Sequence, residues 1–233
     1  MGAGTGGAAD GDIMTLKAPQ YLFNPADKPA LPLYDVPLVE ATEETVQGYG
    51  CLVSHPDDID IEIVRWPATG WRVVDEDSGD EGGWVEGVFY GEWQGDVLYG
   101  RNETVSGHYV LGWSTGDPGL ASAQNKTIAR ERVVLWHLNY HPDGGQLFFP
   151  QDKSPFVVPV ALPGDDLVPD QVIGLWCDGS RGLYIHPGIW HDGIFPVADR
   201  QRFLDRQGRV HARVSCDLAA EFEVYLSVPL LQS

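Results

Sequence analysis

Three features of the 233-residue chain predict an all-β fold. Its 28 glycines and 17 prolines divide it into short segments, as strands joined by tight turns require. Hydrophobic residues make up 43% of it and aromatic residues 11%, enough to bury a full core in one large domain. The apolar residues recur in short alternating or β-branched runs bounded by Gly, Pro, Asn or Asp, which is the pattern of strands rather than of helices.

The elements follow in chain order. Residues 1–18 carry too little apolar content to fold and read as a disordered leader, so a single domain is expected over 19–233. Extended chain runs from Pro19 to Pro37, punctuated by prolines. Residues 41–47 read as a short helix, because Thr42 can cap it, Glu43 and Glu44 suit its first turn, and Gly48 and Gly50 stop it. Residues 59–64 and 71–74 read as strands, followed by an acidic, glycine-rich loop over 75–83. Three aromatic-rich strands are expected at 87–93, 96–100 and 108–113, then a loop over 114–127. Further strands are expected at 132–141, 146–149, 156–162, 172–177, 182–185 and 223–228. Pro142-Asp143-Gly144-Gly145 and Pro163-Gly164-Asp165-Asp166 are tight turns.

The formal net charge is −19, from 34 Asp and Glu against 15 Lys and Arg. Such a surface repels phosphate backbones and anionic lipid headgroups, so neither nucleic acid nor a membrane is an expected partner. A pocket for a small anionic metabolite must then hold local positive charge against the field of the whole molecule. Cys51, Cys177 and Cys216 lie far apart and form no Cys-x-x-Cys pair, which argues against a disulfide framework and a zinc knuckle. Met1 to Asp12 has neither the basic nor the apolar region of a secretion signal, and no apolar run approaches about 20 residues. A cytoplasmic location is expected.

Two segments carry chemistry. On a strand over 137–141, alternation puts His137, Asn139 and His141 on one face and Leu138 and Tyr140 on the other. Three polar groups on a buried face must bond a ligand, a metal or water, whereas on an exposed face they are simply solvated. In the second segment, Gly182-Leu183-Tyr184-Ile185-His186-Pro187-Gly188-Ile189-Trp190-His191-Asp192, a strand enters a Pro-Gly turn and returns. That return would bring His191 into the mouth of a barrel, though His186 or His191 could equally be a satisfied structural histidine.

Together the segments resemble the two cupin motifs, His-x-His-x(4)-Glu and Pro-x-Gly-x-x-His. Asn139, His141, Gln146 and His191 occupy the positions that supply metal ligands in typical cupins, with Asn and Gln in place of His and Glu. The Gln form is similar to the ureidoglycolate lyase family, whose first signature reads here His141-Pro142-Asp143-Gly144-Gly145-Gln146-Leu147-Phe148-Phe149-Pro150. The strand from Pro155 to Ala161 follows, and Gly182, His186, Trp190 and His191 match the second signature. The chain departs from the family at Asn139-Tyr140, where Glu-Arg is usual, at Asp192, where a further His is common, and around Phe203 to Val210, where residues are inserted.

The resemblance implies a cupin-like double-stranded β-helix barrel with a few short helices, and a homodimer. It implies a lyase of purine catabolism that cleaves a carbinolamine acid such as ureidoglycolate to glyoxylate and urea without an organic cofactor. His141, His186, His191 and Gln146 would carry the reaction. His137, Asn139, Arg101, Lys153 and Trp190 would bind substrate, and His141, Gln146 and His191 could hold a divalent ion such as nickel, manganese or zinc. Two other readings stay open, a different metal-dependent cupin enzyme (isomerase, dioxygenase or lyase) on a small carboxylate, and a non-catalytic cupin that binds a metabolite.

Overall fold

The computed structural model describes residues 22–75, 82–126 and 130–231. The leader expected over 1–18 lies outside the described residues, as does most of the acidic loop expected over 75–83. The strands are β1 (Leu33–Asp35), β2 (Leu38–Glu40), β3 (Gly50–Val53), β4 (Trp84–Gln94), β5 (Val97–Asn102), β6 (Gly107–Trp113), β7 (Arg132–Leu135), β8 (His137–Tyr140) and β9 (Gln146–Pro150). After them come β10 (Phe156–Ala161), β11 (Ile173–Cys177), β12 (Gly182–Ile185), β13 (Trp190–His191), β14 (Phe195–Pro196), β15 (Arg200–Gly208), β16 (Val214–Asp217) and β17 (Tyr225–Pro229).

These strands form two sheets, so the fold is all-β as predicted. One sheet has ten strands in the order β1-β17-β7-β6-β5-β4-β15-β9-β12-β3, and the other runs β16-β8-β13-β10-β11-β2 with β14 beside β10. A core of interlocked rings lies between them. Phe89 meets Phe148 edge-on at 5.6 Å, and Phe156 meets Phe203 at 5.1 Å, all four buried. The edge-on geometry adds to the gain from burying the rings.

Three local expectations need correction. Residues 41–47 form a run of turns in place of a helix. Thr42 caps it as expected, its Oγ accepting from the Thr45 amide at 3.2 Å, but the chain leaves the α-helical path within one turn, with Gln47 N–H donating to Glu44 O, Tyr49 N–H to Val46 O, and Gly48 left-handed at φ 91°. A single turn between a cap and two glycines is too short to repay helix nucleation. The strands expected at 59–64 and 71–74 are reduced to isolated bridges, Ile63 to Gly144 and Val74 to Val214. The helix that does form, α1 (Leu218–Phe222), is capped by Asp217, whose carboxylate accepts from the Ala220 amide at 3.0 Å.

The longest unanticipated element is β15. It pairs antiparallel with β4 over its full length and with β9 along its other edge, which places it in the middle of the larger sheet. Its inward residues are Gln201, Phe203, Asp205 and Gln207, all buried. Only one of these four is apolar, so the strand carries no hydrophobic alternation to read.

Candidate active site

A cavity of about 220 Å³ opens between the two sheets. The smaller sheet supplies His137 and Asn139 from β8, His141 just beyond it and His191 from β13. The larger sheet supplies Gln146 and Phe148 from β9, Phe89 from β4 and Asn102 from β5. The geometry starts at the 142–145 turn. A Cβ on Gly145 would stand 2.1 Å from the Tyr184 hydroxyl, so only glycine lets the chain pass from His141 into β9 with Gln146 facing inward. The Tyr184 hydroxyl is itself fixed, accepting from the Glu62 amide at 3.0 Å.

The imidazoles of His141 and His191 face each other edge-on with ring centroids 5.1 Å apart. Both are anchored in the same way. His141 donates from Nδ1 to Ala212 O at 2.9 Å, and His191 donates from Nδ1 to Ile189 O at 2.7 Å. A carbonyl only accepts, so each Nδ1 carries the hydrogen and each neutral ring presents a lone pair at Nε2. His191 Nε2 lies 3.2 Å from Gln146 Oε1. With a neutral ring, two acceptors therefore stand side by side, and a donor is needed to satisfy both.

Burial keeps these rings neutral. The pKa of His141 is held well below the ordinary histidine value, first by desolvation and then by the neighbouring rings of His211 and His191. That of His191 is also lowered, chiefly by burial. His211 stacks on His141 with centroids 3.8 Å apart and is pushed down to about 3 by burial, with Arg213 and His191 adding to the effect. Its backbone is left-handed at φ 54°, and its buried Nδ1 has no hydrogen-bond partner among the described residues.

Behind Gln146 lies a buried carboxylate. Gln146 Nε2 donates to Asp205 Oδ1 and to Gln207 Oε1, each at 2.8 Å. Asp205 Oδ2 accepts from Asn102 Nδ2 at 2.8 Å and from the Thr104 hydroxyl at 2.9 Å. Even with these donors, desolvation raises the Asp205 pKa to about 6. Across the cavity, His137 Nδ1 stands 3.9 Å from the Asp192 carboxylate, which also caps the Gly193 amide at 2.7 Å.

Of the residues expected in the site, His137, Asn139, His141, Gln146 and His191 line this one cavity. The other four do not. His186 is exposed on the outer side of the turn, 3.9 Å from Glu62, because the chain between Ile185 and Ile189 bends around it. Arg101 lies over the Tyr90 ring at 3.8 Å and pairs with Glu103, both partners about half exposed. Lys153 is on the surface. Trp190 is fully buried, but its indole points away from the cavity to donate to Gly164 O at 2.7 Å. Asp205, Gln207, His211 and Arg213 were missed. The period-2 polar series in β15 was the available sign, masked by its reading as an insertion.

Among the described residues, no three His, Cys, Asp or Glu side chains come together in a form that could hold a metal ion. The donors that do converge, two imidazoles and one neutral amide oxygen, do not make the set of a tightly held divalent ion. No helix of the described residues is long and apolar enough to cross a membrane.

Residues 118–224 match the family model of ureidoglycolate lyase. Similar curated proteins include ureidoglycolate lyases of Stutzerimonas stutzeri, 38% identical over 33% of this chain and 46% of that protein, and of Azotobacter vinelandii, 38% identical over 36% and 51%. The ureidoglycolate lyase of Pseudomonas paraeruginosa is 40% identical over 30% of this chain and 43% of its own length. The chain thus spans about half the length of the curated relatives it matches. It is related to the ureidoglycolate lyases through residues 118–224, the segment that supplies every histidine of the cavity.

Proposed function

We propose that the cavity cleaves the carbon–nitrogen bond of a small carbinolamine acid of the ureidoglycolate type, giving glyoxylate and urea. The observation that carries this reading is the pair of Nδ1-anchored imidazoles, His141 and His191, presenting Nε2 lone pairs to one cavity. Size supports it. A cavity of roughly 150 Å³ takes benzene, with its six carbon atoms. By that measure the space here, about 220 Å³, suits the nine non-hydrogen atoms of ureidoglycolate, roughly in proportion.

In this reaction His141 Nε2 takes the proton of the substrate hydroxyl. The oxygen's electron pair forms the carbonyl of glyoxylate, and the carbon–nitrogen bond breaks with its electrons passing to the ureido nitrogen. The His141 imidazolium then returns the proton to that nitrogen, so one ring serves as base and then as acid. No net proton or electron is consumed. Burial suits His141 to this cycle, because a ring held neutral starts with its lone pair available and gives its proton up readily. The ureido N–H groups would satisfy the acceptor pair formed by His191 Nε2 and Gln146 Oε1. None of these steps is assigned to a metal ion.

The test is glyoxylate release from ureidoglycolate, measured with and without added nickel or manganese, for the native protein and for His141→Ala. Release by the native protein alone is the expected result. If no release above the spontaneous rate appears under either condition, this substrate is removed.

A further inference from the structure

We propose that Arg213 is the carboxylate-binding residue of this cavity, held in place by Asp75. The inference rests on the cavity being the substrate site, and it names the group there that recognises an anion. A chain with a net charge of −19 needs a local cation wherever a small anion is to bind. Two of the cations expected from the sequence, Arg101 and Lys153, lie outside the cavity. The third, His137, is an imidazole whose charge depends on protonation, and burial disfavours the charged form of the other rings there. Among the described residues, Arg213 is the only Lys or Arg that lines the space.

Its placement is built from both sides. Arg213 Nε donates to Asp75 Oδ2 at 2.7 Å, and the same oxygen accepts from the Ser215 hydroxyl at 2.9 Å. The backbones are tied as well, the Asp75 amide donating to Arg213 O at 2.7 Å beside the bridge between Val74 and Val214. Both side chains are about 30% exposed, which sets the ion pair at the mouth of the cavity and not in its floor. The guanidinium's field also reaches inward, since it depresses the proton affinity of both His141 and His211. A planar guanidinium at the mouth, oriented by a fixed carboxylate, matches a substrate carboxylate entering beside the imidazoles.

Calorimetric titration with glyoxylate and with uncharged glyoxylamide separates charge recognition from shape. The native protein is expected to prefer glyoxylate. Arg213→Ala should weaken glyoxylate binding by about 10- to 100-fold, the usual loss for a charged hydrogen bond, while leaving glyoxylamide within about twofold. Arg213→Lys, which keeps the charge and disturbs the fold least, should fall between the two. Absence of a glyoxylate preference in the native protein would overturn the assignment, and so would its persistence in Arg213→Ala. If ureidoglycolate is not cleaved but the preference follows Arg213, the lyase reading fails and the carboxylate site stands. If turnover occurs but the preference ignores Arg213, the reverse holds.

Discussion

His211 offers a direct measure of what burying neutral imidazoles does to stability. Its ordinary pKa of 6.5 falls to about 3 in the folded chain. The sign follows from proton binding. As the pH drops below 6.5, the unfolded ring takes a proton that the folded ring refuses until about pH 3, so stability present above 6.5 is lost on acidification. Between pH 7.5 and 5.0 the unfolded ring passes about 1.5 pH units below its pKa, which at about 1.4 kcal/mol per unit amounts to about 2 kcal/mol. Asp205 acts in the opposite sense. Its pKa is raised from 3.8 to about 6, so its contribution is fully present below 3.8, is lost as pH rises through 6, and returns about 1 kcal/mol over the same acidification. Comparing two variants cancels that contribution. His211→Asn is the suitable substitution, since Asn tolerates the left-handed backbone at φ 54° better than most other non-glycine residues. In urea unfolding at pH 7.5 and 5.0 with a common m-value, the native chain should lose about 2 kcal/mol more than His211→Asn. Equal losses in the two proteins would refute the claim that this ring is held neutral.

Other outcomes follow from the same geometry. His141→Ala should lower kcat by about 10²- to 10⁴-fold while the near-UV circular dichroism stays native, because it removes the proton acceptor and not a core side chain. Gln146→Glu would set a carboxylate 2.8 Å from Asp205, and two such groups cannot both ionise. The variant should be least stable, relative to the native chain, at pH 8, and should recover on acidification or on adding Asp205→Asn, as chemical denaturation in a double-mutant cycle would show. Arg72→Ala should destabilise the fold by roughly 3 kcal/mol in the same assay. The Arg72 guanidinium, 7% exposed, makes a fork of 2.8 and 2.6 Å bonds to Glu221 and donates from Nε to Asp165 O at 2.8 Å, and its loss removes all three bonds and leaves that backbone oxygen without its donor.

How far the sequence could be read depended on which side chains faced inward. Strands with apolar inner faces were legible, and β12 begins and ends at the residues expected from Gly182 and Ile185. The inward set of His137, Asn139 and His141 was legible for the same reason, because alternation on β8 needs no partner to be deduced. β15 was hidden by its own function, since a strand that buries Gln201, Asp205 and Gln207 looks like an exposed loop until its partners are known. His186 shows the converse failure. A motif can place a histidine next to a turn, but the direction of its side chain depends on the backbone, and here that backbone turns it out beside Glu62.

The polarity of the cavity bears on which class of substrate it suits. At neutral pH, His141 and His191 present lone pairs, and Gln146 Oε1 adds another acceptor beside His191. Gln146 cannot turn its amide to relieve this while Asp205 is ionised, since its Nε2 is committed to that carboxylate and to Gln207 Oε1. The carboxylate behind Gln146, Asp205, therefore stands one layer back, where it fixes the amide without itself lining the cavity, while Asp192 lines the opposite wall beside His137. A wall so arranged favours ligands that bring several N–H donors to the imidazole side and an anion to the Arg213 side. A plain hydroxy acid has the anion but not the donors, and would leave the acceptor pair unmatched. A ureido acid has both, which is why the donor count of the wall, more than the presence of histidines, separates this reading from the other cupin chemistries.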